Sequence, residues 1–363
     1  MSIDEEIKKT EEKLRDTPVN KSTETDRGRL KAKIARLKEK KQRKEKESQA
    51  SGQGYAVRQR GDATVSLVGP PSVGKSTLLN ELTNAESEVA GYEFTTLEVI
   101  PGMMDYRGAN IQILDVPGLV SGAAGGKGGG KQVLSVIRSS DMVVLVVDVE
   151  KIEMVEDMVD ELYQAGIRLN QAPPDMDVFE RGEGGIEIST TGSMGLKEET
   201  MEKILRNNGF VNCKVVVRED VSIERFIDGL MDNRVYMPGI ICLNKSDELK
   251  EEKLEELQEE KEDWVFVSAK ERENLGQFKE MLWEGLGIMR VYMKKRGKEP
   301  DRDKPLVVDE GSTVEEVAEA LDKKFLKEIS YAKIWGNSAK FPGQKVGKGH
   351  ELEDEDVVEL RFR

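Results

Sequence analysis

The chain has 363 residues, with 56 Lys+Arg against 70 Asp+Glu, one His and two Cys. At ~100–200 residues per domain the length allows two or three domains. No apolar run approaches the ~18 residues of a membrane span and no apolar core follows the first residues, so neither a membrane anchor nor a secretory signal is expected and the expected location is cytoplasmic. Cys213 and Cys242 cannot build a disulfide framework or a four-Cys zinc site. The lone His350 excludes a His-rich metal site, and any Ser-His-Asp triad would have to rest on it. A net charge of −14 argues against nucleic-acid binding by the surface as a whole.

The charge is segmented. Residues 1–50 hold 16 Lys+Arg and 11 Asp+Glu, and between Arg27 and Lys46 the count is 11 basic to 2 acidic. One helix is predicted from about Ile3 to Leu14, stopping near Pro18. A second starts near Asp26 as N-cap and places Leu30, Ile34 and Leu37 on a narrow stripe. This basic helical arm is either docked on the next domain or touches nucleic-acid phosphates. Ser48 to Gly54 has the composition of a linker.

From Ala63 the pattern changes. Short apolar strands are predicted at 63–69, 110–118, 141–149, 239–247 and 264–270, with helical stretches between most of them. This predicts an α/β fold with a mostly parallel sheet. Ligands of such sheets bind where the strands end.

Chemistry is concentrated at those ends. Gly69-Pro70-Pro71-Ser72-Val73-Gly74-Lys75-Ser76 fits G-x-x-x-x-G-K-[ST] between a strand and a helix, the context a P-loop requires. Its glycines let backbone N–H groups wrap a phosphate chain, and the helix N-terminus adds a favourable dipole. Lys75 would reach the β- and γ-phosphates, the Ser76 hydroxyl would ligate Mg²⁺, and Thr77 closes the candidate set. Asp115-Val116-Pro117-Gly118 follows the second strand; Asp115 can hold the Mg²⁺ shell and Gly118 can present its N–H to a γ-phosphate. Asn244-Lys245-Ser246-Asp247 selects the base. The Asp247 carboxylate accepts from guanine N1–H and the exocyclic amine, whereas adenine offers a lone pair there. Asn244 would hold the loop and the purine edge, and the Lys245 stem would lie over the base. Ser268-Ala269-Lys270 can offer a backbone N–H to guanine O6. Between the P-loop and Asp115, Phe94-Thr95-Thr96 supplies a threonine to cap Mg²⁺, with Thr95 preferred. The candidate catalytic groups are Lys75, Thr95 and Gly118; the candidate metal ligands are Ser76, Thr95 and Asp115.

With Tyr92-Glu-Phe-Thr-Thr-Leu97, and Asp115-Val-Pro-Gly-Leu119 before a glycine-rich run, the chain resembles the Obg-type GTPases. It is most similar to their DRG branch, the developmentally regulated GTP-binding proteins, which has archaeal members. The resemblance extends to Ala332–Lys340 and Leu352–Val358, which look like a TGS domain, a small β-grasp module. It implies a basic arm at 1–50, a GTPase domain at 60–290 holding a small α/β insert of ribosomal-protein-like fold at 168–237, and a TGS domain at 291–363. The residues of the tail support this independently. They predict a strand at 304–311, then a helix capped by Ser312 or Thr313 that carries Val314, Val317, Ala318 and Leu321, then further strands at 331–335 and 357–362. Trp335 is read as core in preference to a base-stacking ring. The insert is either an embellishment or a partner surface.

Leu119 stands where many GTPases carry the Gln that orients the attacking water, and relatives of this branch share such a hydrophobic substitution. Slow intrinsic hydrolysis is therefore expected, in the range of ~10⁻⁴–10⁻² s⁻¹ for unassisted switches. Potassium activation is a further hypothesis, although potassium-activated relatives often carry Asn where this chain has Ser72. The run Gly122–Gly130, six glycines in nine residues, is read as a switch segment. The expected cofactors are GTP or GDP, Mg²⁺ and, on that hypothesis, K⁺. The expected function is a slow GTP-hydrolysing switch working with ribosomes or a structured RNA through the arm and the TGS domain. Two alternatives are an RNA-processing or modification factor with a GTPase motor and a nucleotide sensor with negligible turnover. Eukaryotic family members pair with a stabilising regulatory protein, which makes such a partner an open expectation. The sequence leaves the oligomeric state open.

Overall fold

In the computed structural model the described residues are 3–20, 23–49, 61–83, 99–117, 130–192 and 194–362. In chain order they form α1 (Ile3–Asp16), α2 (Glu24–Gln49), β1 (Ala63–Val68), α3 (Lys75–Leu82), β2 (Ile100–Tyr106), β3 (Ala109–Asp115), α4 (Gly130–Arg138), β4 (Met142–Val147) and α5 (Met154–Gln164). Next come β5 (Ile167–Leu169), β6 (Met176–Glu180), β7 (Ile186–Thr190), α6 (Glu198–Asn208), β8 (Cys213–Val217), α7 (Ile223–Asp228) and β9 (Val235–Met237). The chain continues with β10 (Gly239–Leu243), α8 (Glu251–Glu260), β11 (Val265–Phe266) and α9 (Leu275–Leu286). It ends with β12 (Ile288–Met293), β13 (Leu306–Asp309), α10 (Val314–Leu321), α11 (Phe325–Glu328), β14 (Ile329–Trp335), β15 (Gln344–Val346) and β16 (Asp356–Phe362).

Two compact units result, one of residues 1–54 with 166–236 and one of residues 55–165 with 237–363.

The larger unit is built on a six-stranded sheet in the order β11-β10-β4-β1-β3-β2. All pairs are parallel except β2 with β3. The parallel strands are apolar because helices cover both faces: β1 and β4 are buried at every position. Pairing aligns the strand ends, with Leu67 opposite Asp115, Val68 opposite Leu145 and Leu243 opposite Val147. The loops leaving β1, β3, β4 and β10 therefore emerge side by side. Strand β2 is absent from the sequence expectation. It carries Pro101-Gly102, which weakens a strand signal, and it can accept them because it lies at the sheet edge.

A five-stranded sheet, β13-β12-β16-β14-β15, makes the C-terminal part of the same unit. Helix α10 packs Val314, Val317 and Ala318 into its core beside Ile334, Val346 and Val358. Thr313, one of the two expected caps, accepts from the Glu316 N–H while Glu316 reaches back to the Thr313 N–H, a full capping box. Leu321, the last of the four apolar residues the helix carries, is exposed. Trp335 is half-buried rather than core, with the Lys294 ammonium 5.0 Å from its ring centre.

The smaller unit joins the N-terminal helices to the insert. Its sheet, β6-β8-β7, packs one face on α6 and α7. Strand β6 was not expected. Helix α2 docks on this core through small residues: Ala32 is fully buried among Met201, Ile204, Leu205 and Phe226, with Ala35 against the same cluster. A Cβ at Gly28 would lie 3.4 Å from Ile223 and Thr200. The periodicity of Leu30, Ile34 and Leu37 pointed to a different stripe; those three are half-buried. Helix α2 also continues through Gln49, so Ser48 and Gln49 are helical and not linker.

Docking occupies much of the arm's charge. Lys33 and Lys38 pair with Glu6 and Glu11 of α1 at 2.8 and 3.3 Å. Lys41 pairs with Asp4, and Lys31 with Glu224 of α7. Arg36 donates to the Asn207 carbonyl at 2.8 Å. Behind this interface Asp228 is buried between Arg168 and Arg234, accepting from them at 2.6 and 2.5 Å. A buried carboxylate between two guanidiniums is fully compensated, whereas removing one partner would leave charge stranded.

Candidate functional site

The turn after β1 is shaped by glycine. Gly69 lies so close to β4 that a Cβ would stand 2.0 Å from the Val146 carbonyl oxygen. Gly74 has φ 88°, and a Cβ there would meet the Asn244 amide at 2.4 Å. Ser72 takes φ 68° and Gly74 also lies in the left-handed region, backbone conformations of the kind from which nests of N–H groups for phosphate oxygens are built. Pro70, Pro71 and Val73 complete the turn, and Lys75, Ser76 and Thr77 open α3.

Lys75 is buried and folds back over the turn, donating to the Gly69 and Pro70 carbonyls at 3.0 and 3.2 Å. Burial pulls its pKa below the ordinary lysine value; the Asp115 carboxylate opposes this and the Lys151 ammonium adds to it. The Ser76 hydroxyl donates to Asp115 Oδ2 at 2.5 Å across 39 residues of sequence. Two hard oxygen donors thus meet at the mouth of the P-loop, and they fit Mg²⁺, which takes one or two protein oxygens and completes its shell with phosphate and water. Val116 is buried beyond Asp115, its N–H on the Leu67 carbonyl at 3.1 Å, and Pro117 follows. Phe94, Thr95, Thr96 and Gly118 lie outside the described residues, as do Leu119 and positions 122–129 of the glycine run.

On the base side, Asn244 is 2 % exposed and links three loops. Its N–H donates to the Val147 carbonyl at 2.8 Å and its Nδ2 to the Val73 carbonyl at 2.9 Å. Its Oδ1 accepts from the Ala269 N–H at 3.0 Å. That N–H, one of those read as available to guanine O6, is therefore engaged by Asn244. Ser268 is buried and caps its own turn by accepting from the Glu271 N–H at 3.1 Å. Lys270 is exposed and pairs with Glu271 at 3.1 Å. Asp247 is exposed at the rim, where a carboxylate can meet a base edge.

Two residues escaped the sequence reading. Asp148, just past β4, is buried and accepts at Oδ2 from Lys245 at 2.9 Å and from Lys151 at 3.3 Å. Burial pushes its carboxyl up, but the hydrogen bonds from Lys245 and Lys151 prevail and hold it below the ordinary carboxylate value. Lys245 is raised in turn by its bond to Asp148. Lys151 also donates to the Pro71 carbonyl at 3.2 Å. The signal was available: Asp148 ends a buried strand of a parallel sheet, the position that yielded the other motifs.

A glycine-lined turn on β1, a carboxylate ending β3 and Asn-Lys-Ser-Asp ending β10, all on one parallel sheet, define a P-loop GTPase domain. A family model described as "50S ribosome-binding GTPase" matches residues 64–178, the C-terminal region of that domain matches 183–288, and a TGS domain matches 289–361. Developmentally-regulated GTP-binding protein 2 of Homo sapiens is 40% identical over 362 residues, covering 99% of each chain. An uncharacterised GTP-binding protein of Halobacterium salinarum is 47% identical over 370 residues, covering 100% of each. Another, from Methanocaldococcus jannaschii, is 47% identical over 365 residues, covering 99% of this chain and 93% of its own. The chain belongs to the family of developmentally regulated GTP-binding proteins, and membership implies GTP binding and hydrolysis.

Proposed function

We propose that this protein is a slow GTP-driven switch that works with the ribosome or a structured RNA. The observation that carries the nucleotide part is Asn244, which ties the P-loop to the loop after β11. In this reading the P-loop, from Gly69 to Thr77, cradles the phosphates, and Lys75 neutralises the β- and γ-oxygens. Ser76, Thr95 and Asp115 hold Mg²⁺, with Phe94, Thr96, Val116 and Pro117 lining the phosphate end. The Gly118 N–H meets the γ-phosphate. Asp247 reads the guanine edge, the Lys245 stem covers the base, and Ser268, Ala269 and Lys270 shape the O6 side. When bound, Mg²⁺ would supply charge neutralisation to the phosphate chain.

Slow turnover follows from Leu119, whose side chain cannot orient water, so acceleration would come from a partner or from K⁺. Two considerations support an RNA or ribosome partner. The matched family model carries ribosome binding in its description. The C-terminal sheet sets cations against aromatic rings, Lys345 at 4.2 Å from Tyr331 and Lys294 at 5.0 Å from Trp335, a combination suited to single-stranded nucleic acid. Pairing of the α2 lysines within the smaller unit moves weight from the arm to that sheet. Among the described residues no helix is long and apolar enough to cross a membrane.

The test is phosphate release from GTP at fixed Mg²⁺, in K⁺ and in Na⁺, with and without purified ribosomes, beside co-sedimentation in each nucleotide state. Stimulation together with GTP-dependent co-sedimentation is expected. Neither effect would leave the nucleotide reading standing and remove the ribosome from it. Equal rates in K⁺ and Na⁺ would remove potassium.

A further inference from the structure

The loop leaving β4 lies between the P-loop and the Asn-Lys-Ser-Asp loop, because β4 pairs with β1 on one side and β10 on the other. Its first residue, Asp148, is 2 % exposed. One carboxylate oxygen, Oδ2, receives both the Lys245 and the Lys151 ammonium, while Oδ1 is buried without a hydrogen bond. Lys245 itself takes φ 61°, an uncommon conformation for a long side chain. Lys151 spans from this carboxylate to the carbonyl of Pro71, next to the left-handed Ser72. One buried acid thus has a lysine on each half of the nucleotide site.

We propose that Asp148 is a positioning residue that couples the base-covering Lys245 to the phosphate-binding turn through Lys151. The proposal rests on the nucleotide reading above and adds a control element to it. The physical argument is one of charge and entropy. A lysine stem samples many rotamers, and a hydrogen-bonded ion pair restricts it to one. A neutral amide keeps an acceptor oxygen but loses the charge that attracts two ammonium groups, so Asp148→Asn loosens both lysines at once. Lys245 then no longer stays flat over the base, and the turn at Pro71 loses its brace. Two loops joined through Asn244 are held at a second point.

The test follows dissociation of fluorescent GDP by stopped flow, with thermal unfolding of the nucleotide-free protein as a fold control. Asp148→Asn and Lys245→Met are each expected to speed dissociation on the order of ten-fold, and the double variant no further, because coupled residues do not add. Lys151→Met is expected to speed it about three-fold with only a small fall in the unfolding midpoint, since that side chain is partly exposed and its loss leaves Asp148 still paired with Lys245. Asp148→Asn within two-fold of wild type, or a double variant in which the single effects multiply, would overturn the coupling. If Asp148→Asn does not fold, Lys151→Met decides, and wild-type dissociation there overturns the proposal. Failure of the wild type to retain GDP would instead overturn the nucleotide reading beneath it.

Discussion

Asn244 holds Val73 from 171 residues away, its Nδ2 on the Val73 carbonyl at 2.9 Å, while its Oδ1 secures Ala269. The phosphate turn and the base loop are therefore one hydrogen-bonded assembly. Asn244→Ala leaves a buried carbonyl and a buried N–H without partners, at a cost of about 1–3 kcal/mol each. Urea unfolding is expected to show that loss, and the thermal stabilisation gained from GDP should shrink as well. Wild-type stability in this variant would mean that the contacts are not made in solution.

Ser76→Ala removes the hydroxyl that meets Asp115 at the P-loop mouth. Chelating Mg²⁺ with EDTA is expected to accelerate GDP release from the wild type. The variant should release GDP quickly whether or not EDTA is present. If EDTA still accelerated release from the variant as it does from the wild type, the metal would be held without Ser76.

The pH dependence of binding follows from Lys75. Burial places its folded-state pKa below the ordinary lysine value. Between the two values the unfolded chain carries the extra proton, so this group's contribution to stability rises with pH across that window. Nucleotide binding acts in the opposite sense. Phosphate favours the charged ammonium, so GDP affinity should fall as pH climbs through the depressed value, with proton uptake on binding. Calorimetry in buffers of different ionisation enthalpy measures that uptake, and Lys75→Met should abolish it. Uptake that persisted in Lys75→Met would assign the proton to another group.

Ala32 is fully buried where α2 meets the insert. Ala32→Leu adds volume to a filled core, at a cost of ~1–3 kcal/mol. Faster hydrogen exchange across α2 is expected, with exchange in β1 and β4 unchanged. Unaltered protection of α2 would show that the arm does not depend on this contact.

The parallel sheet and the motifs on it were legible because buried strands are continuous apolar runs and because loop chemistry follows them immediately. Three features were not. Strand β2 contains Pro101-Gly102, which reads as a break until its edge position is known. The docking stripe of α2 is made of Gly28, Ala32 and Ala35, residues that carry little hydrophobic signal and act by letting helices approach closely. The Asp148–Lys245 pair joins residues 97 apart, and sequence spacing cannot show which cation a buried acid will meet. The α2 lysines illustrate the same limit: a basic run resembles a phosphate-binding arm until the acids of α1 and α7 are placed beside it.

Guanine recognition by the loop after β10 is tested most directly by a nucleotide swap at Asp247. Binding of GDP and XDP is to be titrated against the wild type and Asp247→Asn. The wild type should bind GDP and discriminate strongly against XDP. The variant should lose GDP affinity by roughly a hundred-fold or more, because a carboxylate acceptor has become an amide that cannot take both guanine protons, and should gain XDP, whose C2 carbonyl accepts from that amide. Unchanged GDP affinity in Asp247→Asn would contradict the account.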